Sequence, residues 1–233
     1  MNRPPWIPLC VPVSASPIAV HLGAKKADCH GCLAIPASWL DDDRWRPVGR
    51  FLPTRFRPDL SAPFLQPRPV PLPLWGWNLR SLLLRDHWDH IRREAYRDCG
   101  YRCRICGMIG ADWPVEADEV WVCDDGTNTQ SLATVTGICP ACHGVRHWGR
   151  TSAAGKQDAA LHHMAEVNGM SVHACEALIQ TRMDEWLRRS ERVWDLDISW
   201  VARTYGFPSR PDAAAHAVAE HERLTKAAER NFF

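Results

Sequence analysis

Four cysteines at paired spacing form the clearest chemical signature in this chain of 233 residues. Cys103 and Cys106 make one CxxC pair, and Cys139 and Cys142 make a second. Each pair can offer two thiolates to one metal ion, and two pairs complete the tetrahedral shell of a structural Zn²⁺. The spacing therefore predicts a Cys₄ zinc site.

Two histidines follow the second pair directly. His143 adjoins Cys142, and His147 lies four residues further on. In a helix that begins here, both imidazoles would stand on one face, beside the zinc and outside its shell. They are candidates for a second metal ion or for phosphate contact, and the alternative is that they only orient the zinc module.

Carboxylates precede the second pair in a segment that is typical of a strand. Glu116 and Asp118 share one face of that strand, whereas Glu119 points to the other. Glu116 and Asp118 are therefore the more suitable ligands for a hard cation such as Mg²⁺ or Mn²⁺. A solvated strand face is the alternative interpretation.

Hydrophobic periodicity and turn residues predict the elements that position these groups. The pattern favours an amphipathic helix over 79–98, a hairpin, a helix that begins near His143, and a helical remainder from about residue 156. The predicted hairpin strands cover 115–122 and 131–136, with a turn at 124–126. Breaks in the C-terminal helices are expected at Asn168-Gly169 and Phe207-Pro208.

The N-terminal part is rich in proline. Fourteen of the 18 prolines precede residue 74, and proline neither continues a helix nor donates to a central sheet. Residues 1–75 are therefore predicted to be extended and irregular. Cys29 and Cys32 form a further CxxC pair that Cys10, His21 or His30 could complete as a second zinc site; isolated packing cysteines are the alternative.

Charge is unevenly distributed, although the net charge is only +1. Residues 1–80 carry ten Lys/Arg against five Asp/Glu, whereas residues 111–135 carry six acidic and no basic residues. A basic arm favours phosphate, and an acidic segment favours a cation. Candidate nucleic-acid contacts, with a solvated surface as the alternative, are Arg55, Arg57, Arg68, Arg92, Arg93 and Arg97.

Neither a signal-peptide core nor an apolar run of about 20 residues is visible. A cytoplasmic protein with no membrane partner is therefore expected, and CxxC spacing in such a protein favours metal binding over disulfides.

The region from about 99 to 150 resembles the HNH, or ββα-metal, endonucleases that carry a Cys₄ zinc ribbon. The resemblance lies in the two CxxC pairs, the acidic strand Glu116-Ala-Asp-Glu-Val-Trp121, the segment 128–130, and the run from Cys142-His143 to His147. It implies a metal-ligand role for His143, with His147 as a second candidate. It also implies that Asn128, the nearest asparagine, orients the general base.

The family's first-strand histidine, its general base, is replaced here by Asp118. An aspartate of ordinary pKa, about 3.9, is a weak base at neutral pH but a good ligand for a hard cation. Loss of a general base typically lowers the rate about 10²- to 10⁴-fold. The resemblance therefore implies a nuclease fold whose activity is impaired, with Asp118 as base or ligand.

Together these observations predict an α+β protein with a Pro-rich arm (1–77), a zinc-ribbon ββα-metal module (78–155) and a helical C-terminal subdomain (156–233). The expected function is nucleic-acid binding, DNA more than RNA, with impaired or lost nuclease activity. The arm could contact other protein subunits of a larger nucleoprotein complex. The alternatives are an active divalent-metal-dependent DNA endonuclease and a scaffold that contacts only protein.

Overall fold

Two three-stranded sheets and a set of mostly short helices build this mixed α+β protein. The computed structural model describes residues 3–27 and 32–232. The strands are β1 (Trp6–Pro8), β2 (Lys25–Lys26), β3 (Leu33–Pro36), β4 (Glu116–Asp124), β5 (Thr129–Ile138) and β6 (Asp195–Asp197). The helices are α1 (Ser16–His21), α2 (Leu79–Leu82), α3 (Arg85–Asp98), α4 (Pro140–Arg146), α5 (Trp148–Ala153), α6 (Gln157–Asn168), α7 (Val172–Ser190), α8 (Ser199–Tyr205) and α9 (Ala213–Phe232).

The first part of the chain differs from the predicted extended arm. Strands β1, β3 and β2 form an antiparallel sheet in that order, and 3₁₀ turns follow it. A core of its own lies against this sheet, and Ile7, Ile35 and Val48 are fully buried there. The prolines at strand ends, such as Pro8 and Pro36, limited the strands to a few residues without preventing burial of the apolar positions between them.

Residues 64–72, here named the strap, do lack regular structure for most of their length, as predicted. The strap packs on the helices of its own chain. Asn168, which is 1 % exposed, accepts hydrogen bonds from the Phe64 and Leu65 amides at 2.7 and 2.9 Å and donates to the Leu65 carbonyl at 2.7 Å. Further along, the Ser190 hydroxyl accepts from the Leu72 amide at 3.0 Å.

The helix predicted over 79–98 is divided into α2 and α3. Leu83 and Leu84 adopt extended backbone conformations between them. Asn78 caps α2 by accepting a hydrogen bond from the Ser81 amide at 3.2 Å. Because of the interruption, Leu79 and Leu83 pack in one core with Ile91 of α3. Burial of both leucines thus outweighs the cost of breaking the helix.

The hairpin of β4 and β5 is present where the sequence predicts it, with longer strands. Antiparallel pairing runs from Glu116 opposite Ile138 to Asp124 opposite Thr129, with an irregularity after Val120. One face packs on α3, since Ala117 and Val135 join the core of Ile91 and Ala95. By strand alternation, Glu116 and Asp118 point to the other face, on which α4 lies.

The remainder is helical, as predicted, with one addition. Helix α6 ends at Asn168, and Gly169 follows in the left-handed conformation with φ of 63°, which glycine adopts without steric cost. Helix α8 ends before Phe207 as expected. The addition is β6, which pairs in parallel with β5 and so extends the hairpin to three strands. Within the described ranges, no helix combines the length and apolar character needed to cross a bilayer.

We expect Asn168→Ala to lower the free energy of unfolding by about 2–4 kcal/mol, because it leaves backbone groups of Phe64 and Leu65 buried without partners. Chemical denaturation monitored by circular dichroism measures the change. Gln180→Ala is the control: it removes one exposed hydrogen bond, to Asp184 on α7, and should change stability by less than about 0.5 kcal/mol. Equal effects of the two substitutions would contradict the role of Asn168.

Candidate metal centre and adjacent histidine site

The two CxxC pairs meet in the interior. Cys103, Cys106, Cys139 and Cys142 are all buried, and their sulfur atoms all lie within 4.8 Å of one another. The Cys106 and Cys139 sulfurs are 3.6 Å apart, close to the edge of about 3.8 Å that a tetrahedron with Zn–S bonds of about 2.3 Å would have. The four cysteines could therefore hold a structural metal such as zinc.

Local backbone geometry presents each pair of sulfurs. In the first pair, the Gly107 amide donates to the Cys103 carbonyl at 2.9 Å, and the Cys106 amide points at the Cys103 sulfur at 3.5 Å. Gly107 has φ of 79°, which a side chain would strain. In the second pair, Cys139 precedes α4 and Pro140 occupies its first turn, a position where proline's missing N–H costs nothing.

The protonation of the four thiols also favours a cation. Hydrogen bonds with Cys103, then Cys106 and Cys142, lower the pKa of Cys139, whereas hydrogen bonds with the other three sulfurs raise the pKa of Cys142. Without a positive ion, the cluster can thus carry only part of its possible negative charge. His163 of α6 adds a polar contact, because its Nε2 lies 3.2 Å from the Cys142 sulfur.

A second zinc site in the N-terminal part is not assembled by the described residues. Cys29 and His30 lie outside them. Cys10 is fully buried, and its thiol donates to the Cys103 carbonyl at 3.4 Å. Desolvation raises the pKa of Cys10, so this thiol is neutral and packs beside the Cys₄ cluster.

A second group of possible ligands lies next to the cysteines. Asp118 of β4, His143 of α4 and His147, which follows α4, bring one ligand atom each to within 4.8 Å of the others. The His143 and His147 ring centroids are 4.4 Å apart. Asp118 is 4 % exposed, and its Oδ2 atom has no hydrogen-bond partner among the described residues. A buried carboxylate oxygen without a partner is costly, and a cation at this position would satisfy it.

Glu116 orients the first histidine. Its Oε2 accepts a hydrogen bond from His143 Nδ1 at 2.6 Å, and Arg150 lies 3.3 Å from the same nitrogen. The hydrogen bond with His143 holds the pKa of Glu116 below its usual range. Since Nδ1 is engaged, Nε2 is the nitrogen of His143 that remains for a ligand, as in the carboxylate–histidine–metal arrangement.

The surroundings favour neutral imidazole at His147 and compensate the charge of Asp118. Desolvation, followed by the neighbouring His143, Arg150 and Arg146 groups, lowers the pKa of His147 to about 3, although the residue is exposed at the surface. Burial raises the pKa of Asp118, and Arg146, His143 and Arg68 oppose that rise. Arg146 is 8 % exposed, and its Nε atom has no partner among the described residues.

Glu119 points away from this site, as strand alternation predicts. Its two carboxylate oxygens accept hydrogen bonds from the Leu79 amide at 3.0 Å and from Trp121 Nε1 at 3.1 Å. Desolvation raises its pKa to about 7. Glu119 therefore fastens α2 to the hairpin and contributes no ligand to the histidine site.

Asn128 is far from the predicted base position. It lies in the hairpin turn with φ of 51°, and its Oδ1 accepts from Arg192 at 3.4 Å. The turn begins after Asp124, six residues along β4 from Asp118, which corresponds to about 20 Å of strand. Asn128 therefore cannot orient a group at Asp118: the structure places it one strand length away from the position that the resemblance implies.

The predicted arginines fall into three groups. Arg68 lies near Asp118 and Arg146, and its amide donates to the Arg146 carbonyl at 3.0 Å. Arg55 and Arg57 are paired with Glu166 and Asp59. The remaining three, on the face of the hairpin opposite Asp118, are Arg92, Arg93 and Arg97 of α3. Only Arg68 thus joins the site.

Three basic or polar contributors at the site were not identified from the sequence. They are Arg146, Arg150 and His163. Arg146 could have been found, because it follows His143 at helical spacing of three residues. His163 carried no such signal, since its contact with Cys142 depends on how α6 packs on α4.

Comparison with protein-family models, with curated proteins and with solved structures finds no match for this chain.

Proposed function

We propose that this chain is a zinc-stabilised module of the ββα-metal (HNH-like) type that binds nucleic acid, DNA in preference to RNA, and cleaves it weakly or not at all. One observation carries the proposal: Asp118, His143 and His147 converge beside a buried Cys₄ cluster, and Asp118 offers an unpartnered oxygen. Acidic and imidazole ligands on a hairpin and the following helix are the arrangement that the sequence resemblance implies.

Zn²⁺ is the ion proposed for the cysteines. Four buried thiolates form a closed shell with no position for a substrate, which is typical of structural zinc. Other soft cations could also bind sulfur, so the identity of the metal is part of the proposal.

A harder divalent cation, Mg²⁺ or Mn²⁺, is proposed for Asp118, His143 and His147. Bound there, it would supply charge for a phosphodiester oxygen. The residues of the chain supply the rest of the phosphate environment: Arg68 and Arg146 flank Asp118, and Arg150 lies at His143. Guanidinium groups suit phosphate because their donors match its oxygens.

Impaired cleavage follows from the protonation of the same residues. A general base works best with a pKa near the working pH. Glu116 is committed to His143, and its pKa is lowered. With a pKa of about 3, His147 accepts a proton poorly. None of these groups replaces the histidine that Asp118 displaces in the resemblance.

An active divalent-metal-dependent endonuclease is the second candidate. The observation in its favour is that three ligands remain together, with Asp118 buried among positive groups. In that case Asp118 acts as a ligand, and another group activates the water.

Contact with other protein subunits through the Pro-rich segment is a further part of the proposal. The strap is already held by Asn168 and Ser190 of its own chain. A partner would therefore meet a folded N-terminal segment rather than a free arm.

Protein purified without chelator should contain one zinc ion per chain by elemental analysis, and Cys103→Ser should lose it together with helicity. The ion contributes folding energy because the unfolded chain has no preformed site. Cys175→Ser is the matched control, since Cys175 is buried in the same core but is not one of the four ligands. An intact, metal-free wild-type fold would refute the zinc proposal.

Wild-type protein should bind Mn²⁺ in isothermal titration, lose that binding in Asp118→Asn, and cut plasmid DNA weakly or not at all. Restoring imidazole in Asp118→His should raise cleavage by about 10²- to 10⁴-fold, and the gain should disappear on His143→Ala. Asp112→Asn, which alters an exposed carboxylate in the loop before β4, is the control. Strong wild-type cleavage that requires His143 would establish the second candidate instead.

A further inference from the structure

A small cavity lies where the strap, the hairpin and α7 meet. Its volume is about 160 Å³, and its walls include residues 66–70 of the strap, Trp121 and Gln130 of the hairpin, and Arg182 and Trp186 of α7. A cavity of about 150 Å³ is large enough to hold one benzene molecule. It can therefore accept a single aromatic ring with its substituents and is too small for a drug-sized ligand.

The cavity presents hydrogen-bond donors that the described residues do not use. Gln130 is 1 % exposed, and its Nε2 atom has no partner among them. The Oε1 atom of the same amide faces the Cys123 thiol at 3.7 Å. The Arg68 side chain makes no hydrogen bond or ion pair that the described structure records, although it lines the cavity. Both unused groups donate, so they select a ligand that carries acceptor oxygens.

Two indole rings flank these donors in fixed orientations. Trp186 Nε1 donates to the Val70 carbonyl at 2.9 Å, and Trp121 Nε1 donates to Glu119 at 3.1 Å. Trp75 stacks on Trp186 with ring centroids 6.2 Å apart. Since both indole N–H groups are satisfied inside the protein, the rings contribute apolar area and stacking surface to the cavity rather than donors.

The charge of the walls is positive. Arg68, Arg182 and Arg189 line the cavity with a single carboxylate, Glu185. Glu185 pairs with Arg182 at 2.6 Å, and Arg189 pairs with Asp125 at 2.6 Å. Arg68 has no ion-pair partner among the described residues, although it interacts electrostatically with Asp118, which is not one of the lining residues. A negative group attached to the bound ring would be placed beside Arg68.

We propose that this cavity binds a pyrimidine base, with its carbonyl oxygens facing Gln130 and Arg68 and its ring against Trp121 and Trp186. The inference deepens the proposed function, on which its link to Asp118 rests: Arg68 lines the cavity and also lies near Asp118, so a phosphate joined to the base would lie toward the metal ligands. Adenine carries no carbonyl oxygen and presents an amino donor instead. The unused donors thus give the module a preference for bases with carbonyl oxygens over adenine.

The test measures binding of thymidine 5′-monophosphate and deoxyadenosine 5′-monophosphate to the full chain by saturation-transfer NMR and isothermal titration. An octamer of thymidylate and an octamer of abasic deoxyribose phosphate are titrated in parallel with Mn²⁺. The variants are Trp121→Leu, which removes one stacking ring, and Gln130→Glu, which replaces the unused donor by a carboxylate. Trp113→Leu is the control, because Trp113 is 61 % exposed in the loop before β4.

Thymidine monophosphate should bind the wild type and the control more tightly than the adenine nucleotide. Each cavity variant should weaken it by about 10- to 100-fold, since base stacking contributes about 1–3 kcal/mol. No binding, equal binding of both nucleotides, or unchanged binding in both folded variants would overturn the inference. If one variant fails to retain the wild-type circular dichroism spectrum, the other decides.

The two oligonucleotides separate this inference from the proposed function. Binding of both octamers equally, lost in Asp118→Asn, without binding of the mononucleotide would leave the proposed function standing and reject the pyrimidine cavity. Binding of the mononucleotide without either octamer would support the cavity as a site for free nucleotides and reject nucleic-acid binding. Tighter binding of the thymidylate octamer than of the abasic one supports both.

Discussion

The convergence of four thiols is the constraint on which the rest of this structure depends. Cys103 and Cys106 belong to a loop after α3, Cys139 follows β5, and Cys142 belongs to α4. Holding their sulfurs together joins the loop after α3 to the junction between β5 and α4. Residues 54 and 55, which follow the N-terminal sheet in the chain, pair with the backbone of this loop, and residues of α6 and α7 pack in the same core as the cysteines.

The histidine site is a geometric consequence of this arrangement. His143 is the residue next to Cys142 in α4. Once the Cys142 sulfur is held in place, the His143 backbone is also fixed, and only its side-chain rotamer remains free. Asp118 is held from the other side by the strand pairing that ends at Ile138, one residue before Cys139. Glu116 then selects the nitrogen that His143 presents. The site therefore needs few dedicated residues, because the neighbouring cluster already positions its parts.

Local signals predicted the centre of the molecule well and its periphery poorly. CxxC spacing identified the cysteine cluster. Strand alternation identified the opposite faces of Asp118 and Glu119, and the Gly after α6 identified the end of that helix. The N-terminal sheet was missed because its strands are short and rich in proline. Its apolar residues therefore show no alternation long enough to predict a strand. Asn128 and His163 were misplaced or missed for another reason: their positions depend on how distant elements pack, which spacing along the chain does not encode.

The strap has a consequence for the order in which the chain can fold. Its partners Asn168, Arg182 and Ser190 are separated from it by 103 to 118 residues. Contacts of such separation form late, because closing a long loop must precede any gain from the contact. The hairpin and the helix after it, by contrast, are neighbours in sequence. During synthesis the hairpin and α4 can thus pair before the contacts of the strap with α6 and α7 exist, and the walls of the cavity are completed only when α7 has emerged.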